Sequence, residues 1–251
     1  MTRQKRVLLT LYLKPNIILA EIKTPNGARL TLVEHDGSYC IRVNGQQLMH
    51  SSVAASEIRL GELGCERHPP AGAAIRVLIG GLGLGFTLQS VLQSVGPKSV
   101  VHVAELLPEI VTWNRTHLAG LNGQALADAR VTVFAEDVTR VLKRAARAPY
   151  DVIVLDIDNG TTAMVKNENH ALYREAGLRL ISRALQPGGR VAIWSACSDP
   201  LIERQLTQTG FVVQATKARL HERAKSSNYM IYLADKLAAP EKNVHRVSRL
   251  G

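Results

Sequence analysis

Residues 75–86 read IRVLIGGLGLGF, and this stretch decides the fold of the chain. A short apolar run, 77–79, leads directly into glycines, and a helical pattern begins at Thr87. The glycines are Gly80, Gly81, Gly83 and Gly85. Glycine permits positive φ and close approach of a ligand to the backbone, and the following helix N-terminus leaves N–H groups free. A strand that ends in glycines and turns into a helix is typical of the first crossover of a nucleotide-binding α/β sheet, so these glycines are predicted to bind a cofactor.

The composition is that of a globular protein with an aliphatic core. The chain has 251 residues, of which 46% are hydrophobic and 4% aromatic. That length suits one large domain, or one domain with a small lobe. The cysteines Cys40, Cys65 and Cys197 are far apart and odd in number, and no Cys-x-x-Cys pair occurs, which argues against a disulfide framework or a zinc site. We predict no metal site.

The charge and the N-terminus narrow the function classes further. The net charge of +10 is spread along the chain with no dense basic arm, so we do not expect a nucleic acid partner. The basic start Met1–Arg6 precedes an apolar run, but Lys14 and Pro15 cut that run too short for a secretory signal. No apolar run is long enough to span a membrane, and we expect a cytoplasmic protein.

The first 70 residues have the pattern of a small antiparallel β-lobe. Three short strands are predicted at 17–22, 29–34 and 38–43, with hairpin signals at Asp36-Gly37 and Asn44-Gly45. A helical stretch at 54–63 and a linker rich in proline and glycine at 69–72 follow. We therefore place the lobe and its linker helix in residues 1–70.

Strands and helices alternate from residue 75 onward. The predicted strands are Arg76–Ile79, Val100–Ala104, Val131–Phe134, Val152–Leu155, Arg190–Trp194, Phe211–Ala215 and Tyr229–Ala234, and the predicted helices are 86–94, 107–118, 138–147, 170–186 and 199–209. This alternation predicts a Rossmann-like α/β domain over 71–235, with a mostly parallel seven-stranded sheet and helices on both faces. A basic loop joins the last two strands, which favours an antiparallel pair at the sheet edge. Residues 236–251 are predicted to be a basic, disordered tail.

Acidic residues follow the carboxyl ends of the predicted strands, where α/β sheets bind their ligands. Glu105 comes twenty residues after Gly85, the spacing of a carboxylate that binds ribose hydroxyls. Asp137, after the third strand, is placed to meet an adenine edge, and Asp156 and Asp158 follow the fourth. A pocket of like charges is costly unless cations or hydrogen-bond donors fill it. The pattern predicts a cationic ligand, namely a sulfonium cofactor, an amine substrate or both.

Each of these residues also has a structural interpretation. Glu105 and Asp137 are suited to cap the helices that follow them, and Asp156 is suited to a purely structural role at the end of a buried strand. The segment Asp158-Asn159-Gly160 has the composition of a plain turn. His50, Ser51 and Asn159 are candidates for a substrate contact, with an ordinary loop role as the alternative.

The motifs together resemble a known superfamily. The segments VLIGGLGLGF, VVHVAELLPEIVTWNR, VFAEDVTRVL, YDVIVLDIDNG and LYREAGLRLISRALQPGGRVAIWS are similar to class I S-adenosylmethionine-dependent transferases. Within that superfamily, the chain most resembles the spermidine synthase-like, or polyamine aminopropyltransferase, group, whose β-lobe also ends in a GQ-type turn like that at 45–47. The resemblance covers roughly residues 25–235. It implies the class I methyltransferase fold, a role in polyamine metabolism and, by analogy, a homodimer.

The resemblance also implies roles for single residues. Glu105 would hold the ribose, Asp137 the adenine, and Asp156 would orient the attacking amine and ease its deprotonation. Asp158 is a stand-in for a second acidic residue that the group has where this chain has Asn159. The group's glycine loop carries an Asp, which would grip the ammonium of decarboxylated S-adenosylmethionine, at the position of Gly83. The Tyr-His pair that the group has before the linker is also missing from this chain.

Three functions remain open from the sequence. Aminopropyl transfer from decarboxylated S-adenosylmethionine to a small amine fits the resemblance and the acidic residues at the strand ends. Methyl transfer from S-adenosylmethionine to a small molecule fits Gly83, with the basic loop 216–227 (Lys217, Arg219, Arg223 and Lys225) holding an acidic substrate or simply facing solvent. A non-catalytic ligand-binding protein on the same fold is the third.

Overall fold

Two sheets organise the residues that the computed structural model describes, namely 14–24, 26–157, 169–219 and 229–238. The smaller sheet is antiparallel with strands in the order β1-β2-β3-β4, which are Ile17–Lys23, Arg29–His35, Ser38–Val43 and Gln46–His50. The sequence predicted the first three of these strands and missed β4. Asn44 and Gly45 both have positive φ, 49° and 82°, the geometry of a tight hairpin turn. Such a turn reverses the chain at once, so Gln46 pairs with Val43 and Met49 with Ile41.

The larger sheet confirms the predicted seven strands. In sequence order, they are β5 (Arg76–Gly80), β6 (Val100–Ala104), β7 (Val131–Phe134), β8 (Tyr150–Leu155), β9 (Leu185–Ser195), β10 (Phe211–Lys217) and β11 (Met230–Lys236). Their spatial order is β10-β11-β9-β8-β5-β6-β7. The five strands from β5 to β9 are parallel, whereas β11 runs antiparallel to both β9 and β10. The antiparallel pair at the edge was predicted from the lack of a crossover helix between β10 and β11.

Helices cover both faces of this sheet, as predicted. They are α1 (Ala55–Cys65), α2 (Phe86–Ser94), α3 (Pro108–Arg115), α4 (Val138–Ala145), α5 (Asn169–Leu172), α6 (Glu175–Ala184) and α7 (Pro200–Gln208). Side chains of α1, α2 and α3 pack on one face with Val77 and Ile79 of β5, while α4, α6 and α7 pack on the other with Leu78. The alternation of buried residues along β5 is what a sheet covered on both faces requires.

Two boundaries around the fourth predicted helix are wrong. The segment predicted as one helix over 170–186 forms α5 and α6, because Arg174 has an extended backbone with ψ 167° that interrupts the helical turns. The helix then ends at Ala184, and β9 begins at the next residue rather than at Arg190. Pro187, Gly188 and Gly189 therefore lie within β9, where the register against β8 shifts by a bulge.

Helix α1 joins the two sheets through glycines on its packed face. A Cβ on Gly61 would lie 2.7 Å from Ser90 Oγ of α2, and one on Gly64 would lie 3.1 Å from Val154 Cγ2 of β8. Core residues of the small sheet, such as Leu32 and Ile41, belong to the same buried cluster as Leu60 and Leu63 of α1.

The predicted domain boundary near residue 70 and the extent of a tail from 236 stay predictions, and 239–251 lie outside the described residues.

A buried arginine ties α1 to the edge of the main sheet. Arg190 of β9 is 6% exposed and makes a two-pronged contact with Asp235 of β11, with nitrogen–oxygen distances of 2.7 and 3.0 Å. Its Nη1 donates to the carbonyl of Leu63 at 3.0 Å and to Glu66 Oε1 at 2.6 Å. A planar guanidinium suits this arrangement because its donors form a rigid fork.

Among the described residues, no helix is long and apolar enough to cross a membrane.

Replacing this arginine is expected to destabilise the fold. Arg190→Met removes the donors of a carbonyl and two carboxylates, and Asp235 keeps only its bond to Arg67, at 2.9 Å. We expect the free energy of unfolding to fall by about 2–3 kcal/mol. The matched control is Arg179→Met, whose exposed pair with Glu175 should contribute no more than about 0.5 kcal/mol. Urea unfolding of both variants measures the difference, and equal midpoints would contradict the role given to Arg190.

Candidate active site

The carboxyl ends of four parallel strands meet in register at one edge of the main sheet. The amide of Asp156, after β8, donates to the carbonyl of Gly80 at 2.8 Å. The amide of Gly81 donates to Ala104 at 2.9 Å, and the amide of Glu105 to Phe134 at 3.0 Å. These bonds continue the sheet by one residue beyond each strand. They bring the glycine loop, Glu105 and Asp156 side by side, as the sequence predicted for the ends of parallel strands.

The glycine loop depends on the absence of side chains. Gly81, Gly83 and Gly85 have φ of 89°, 51° and 90°. A Cβ on Gly81 would lie 2.2 Å from the carbonyl oxygen of Asp156, so the ends of β5 and β8 come together only if residue 81 is glycine. A Cβ on Gly83 would lie 2.5 Å from Cε and 2.7 Å from Sδ of Met49. The small sheet thus places a thioether directly over the loop.

Glu105 organises the loop from the neighbouring strand end. Its side chain is buried, and its two oxygens accept from the amides of Leu82 and Leu107, each at 2.9 Å. Burial raises the pKa of this carboxyl, while these amide donors favour the charged form. The amides of Gly83 and Leu106 act on the carboxylate in the same direction. The ribose role of Glu105 stays a prediction.

Asp156 lies between the main sheet and the first two helices. Its Oδ2 accepts a bond of 2.5 Å from the hydroxyl of Thr87, in the first turn of α2. Burial and, next, the charge of Glu57 raise the pKa of Asp156 to about 7, against the effect of the Thr87 bond. Part of the residue stays accessible to solvent. A carboxyl with this pKa exchanges a proton readily near neutral pH, which suits a general base.

Glu57 is a second carboxylate at this edge. It lies in the first turn of α1, and burial raises its pKa, although Ser56 Oγ donates to its Oε2 at 2.5 Å. The sequence analysis did not select it as a site residue, because Glu57 is far from Asp156 along the chain. Only the packing of α1 on α2 and on the sheet makes the two carboxyls neighbours.

Two aromatic residues lie on the same side of the sheet as these carboxyls. Trp194 of β9 comes one residue after Ile193, which pairs with Leu155, and Asp156 comes one residue after Leu155. Trp194 and Asp156 therefore have matching positions on neighbouring strands. Its ring is 5.0 Å from that of Tyr229, which precedes β11, with an angle of 59° between the rings. Burial, and next the charge of Glu57, raise the pKa of Tyr229. The carboxyl end of the sheet, here called the mouth, therefore combines acidic and aromatic side chains.

Asn114 of α3 is a further supporting residue that the sequence did not single out. It is 1% exposed, and its Nδ2 donates to the carbonyl of Gly83 at 2.8 Å, while Asn122 donates to its Oδ1 at 2.7 Å. A polar residue on the buried face of an amphipathic helix was the available signal. These bonds hold the glycine loop against α3.

Other predicted residues have clear local contacts. Asp137 caps α4, since its Oδ1 accepts from the amide of Thr139 at 2.8 Å, and this agrees with its structural interpretation. The Nδ1 of His50 lies 3.1 Å from the amide of Ser52, and Ser51 Oγ accepts from the amide of Tyr39 at 2.9 Å. The adenine role of Asp137 and the substrate roles of His50 and Ser51 stay predictions.

Some of the predicted site lies outside the described residues. Asp158, Asn159 and Gly160 belong to that group, as does most of the basic loop after Arg219. Within the described ranges, no group of three or more His, Cys, Asp or Glu side chains is placed to hold a metal ion.

Sequence comparison finds one informative relative. No family model matches the chain. A polyamine aminopropyltransferase of Streptomyces coelicolor is 37% identical over 130 residues, which are 50% of this chain and 22% of that protein. The chain thus spans less than a quarter of the length of the curated relative that it matches.

Solved structures share the fold. A spermidine synthase in complex with the transition-state analogue AdoDATO has a TM-score of 0.71 at 19% identity, covering 90% of this chain and 75% of that one. The human methyltransferase-like protein 13 in complex with SAH has a TM-score of 0.52 at 21% identity, covering 76% and 81%. The predicted resemblance is confirmed: half of this chain is similar in sequence to a polyamine aminopropyltransferase, and its fold is that of spermidine synthases and class I methyltransferases.

Proposed function

We propose that this chain is a transferase that moves an aminopropyl group from a sulfonium donor, decarboxylated S-adenosylmethionine, to a small amine. The observation that carries the proposal is Asp156, a carboxyl with a pKa of about 7 at the carboxyl edge of the sheet, next to the glycine loop. A carboxylate here attracts a cationic acceptor and takes its proton. The similarity to a polyamine aminopropyltransferase supports the choice of an amine.

The residues at the loop fit an S-adenosyl group. Gly81, Gly83 and Gly85 leave the backbone open to a close approach, because no Cβ projects from it. Glu105 holds the loop amides and places a carboxylate where ribose hydroxyls would donate to it. Trp194 and Tyr229 offer ring faces, which attract organic cations. In support, a spermidine synthase of this fold is described in complex with AdoDATO.

The proposed reaction asks for positioning and proton transfer from the protein. A sulfonium donor supplies a carbon that is open to in-line displacement, because a neutral thioether leaves without acid catalysis. Asp156 orients the acceptor ammonium and accepts one proton from it, so that the free amine attacks. A carbon–nitrogen bond forms as the carbon–sulfur bond breaks, and the bonding pair stays on sulfur. Thr87 steadies the carboxylate in its charged form.

Methyl transfer from S-adenosylmethionine is the second candidate. It is favoured by Met49, which occupies the space that a side chain at residue 83 would need. An apolar thioether there neither attracts the donor's ammonium nor repels the carboxylate that only S-adenosylmethionine carries. The donor's identity therefore depends on the contact between Met49 and Gly83.

Calorimetric titration distinguishes these functions. We expect decarboxylated S-adenosylmethionine to bind more tightly than S-adenosylmethionine. Only S-adenosylmethionine carries a carboxylate of its own, which the acidic residues at the strand ends would repel. Methylthioadenosine, which has neither the sulfonium nor the ammonium, should bind through the loop and Glu105. Tighter binding of S-adenosylmethionine would favour methyl transfer over aminopropyl transfer as the function. Absence of binding by all three would contradict both reactions.

Removing the charge of Asp156 separates chemistry from binding. Asp156→Asn should lower turnover with an amine acceptor by about 10²-fold or more, since the proton acceptor is lost. Methylthioadenosine affinity should change little, because the loop and Glu105 stay intact. The control is Asp36→Asn, at an exposed hairpin turn of the small sheet. Turnover that survives in Asp156→Asn would show that another group takes the proton.

A paired substitution tests the donor contact. Gly83→Asp alone should lower stability, because its Cβ meets Met49, while Asp tolerates the positive φ better than most residues. Gly83→Asp combined with Met49→Ala makes room, and the new carboxylate should favour the decarboxylated donor over S-adenosylmethionine by about tenfold. Met49→Ala by itself is the control. An unchanged donor ratio in the double variant would mean that the donor tail lies elsewhere.

A further inference from the structure

We propose that Glu57 and Asp156 act as one unit that shares a single proton in the free protein and releases it to solvent when a cation enters the mouth. This deepens the function proposed above and rests on it for the identity of the cation. It assigns a role to Glu57 as a positioning residue, acting through Asp156.

The geometry links the carboxyl of Asp156 to the backbone of Glu57 through Thr87, in the first turn of α2. Thr87 Oγ1 donates to Asp156 Oδ2 at 2.5 Å and lies 3.4 Å from the carbonyl oxygen of Glu57. The turn of α1 that holds Glu57 is pressed onto α2, where Gly61 leaves no room for a side chain beside Ser90. Ser90 Oγ also donates to the carbonyl of Ile58 at 2.6 Å. The backbone therefore keeps Glu57 close to Asp156 whatever the charge of either.

The surroundings oppose two negative charges at once. Among the described residues, the groups that act on the pair are Thr87 on α2, Ser56 on α1 and Tyr229 before β11, and none of them is a cation. Burial raises the pKa of both carboxyls, and each ionised partner makes ionisation of the other harder. One retained proton relieves the repulsion and leaves one carboxylate to attract a ligand.

A cationic ligand changes that balance. A sulfonium or ammonium beside the pair stabilises both carboxylates, so the shared proton leaves as the cation binds. Since the pKa of Asp156 is raised to about 7, part of the protein carries the shared proton at pH 7, and cation binding should release that part. Below that pH, the proton and the cation compete, and the affinity should fall by up to about tenfold per pH unit. A neutral nucleoside should show neither effect.

Titration of the free protein tests the pair without any ligand. The pKa of Asp156 is followed by ¹³C NMR of its carboxyl carbon in the wild type and in three variants. Glu57→Gln removes the neighbouring charge, so the midpoint should fall, yet stay above an ordinary Asp because burial remains. Thr87→Val removes a bond to the charged form, so the midpoint should rise. Glu62→Gln, exposed on the same helix and paired with Arg59, should leave it unchanged.

Opposite shifts in the first two variants support the proposal, and they are independent readouts if one variant fails to fold. A midpoint unchanged by Glu57→Gln, or an ordinary Asp titration in the wild type, would overturn it.

Proton release on binding is then measured by calorimetry in buffers of different ionisation enthalpy. S-adenosylmethionine should release protons, methylthioadenosine should not, and Glu57→Gln should reduce the release and flatten the pH profile. If methylthioadenosine binds but the sulfonium releases no proton, the shared proton is wrong while the proposed function stands. If neither nucleoside binds, the proposed function fails, and the NMR titration still decides whether the pair exists.

Discussion

The backbone of Gly81 lies against the carbonyl of Asp156, and no side chain fits between them. A Cβ at residue 81 would come within 2.2 Å of that oxygen. Because this contact is possible, β5 and β8 stay paired up to their last residues, and Asp156 N bonds to Gly80 O. The position of the acidic mouth, the direction of the glycine loop and the start of α2 all follow from this close approach. A larger residue would separate the strands where the ligand is expected to bind.

The mouth combines groups whose burial is costly with groups that offset the cost. Glu105 is buried but accepts two loop amides, so its charge supports the loop. The hydroxyl of Thr87 donates to Asp156, while burial and the charge of Glu57 raise the pKa of this carboxyl. A structural carboxylate is normally satisfied in the way that Glu105 is. In the function proposed above, the carboxyls of Asp156 and Glu57 attract the cationic ligand.

The small sheet contributes to the mouth as well as to the core. Met49 of β4 lies over Gly83, and α1, which follows that sheet, brings Glu57 to Asp156. Both contributions come from the segment between the hairpin at Asn44 and the end of α1. The sequence differs from the resembling group in this same segment and at Gly83. The side chain missing at Gly83 leaves the space that Met49 fills.

The sequence by itself determined the sheet, the glycine loop and the strand-end carboxyls Glu105 and Asp156. These depend on local periodicity, on glycine's backbone freedom and on the rule that parallel strands end together, all of which can be read along the chain. Strand β4, the break at Arg174 and the early start of β9 were missed, because turn geometry overrides composition over short segments. Only the tertiary structure decided that Glu57 neighbours Asp156 and that Met49 covers Gly83. Contacts between residues distant in sequence depend on how helices pack, and no spacing along the chain encodes that.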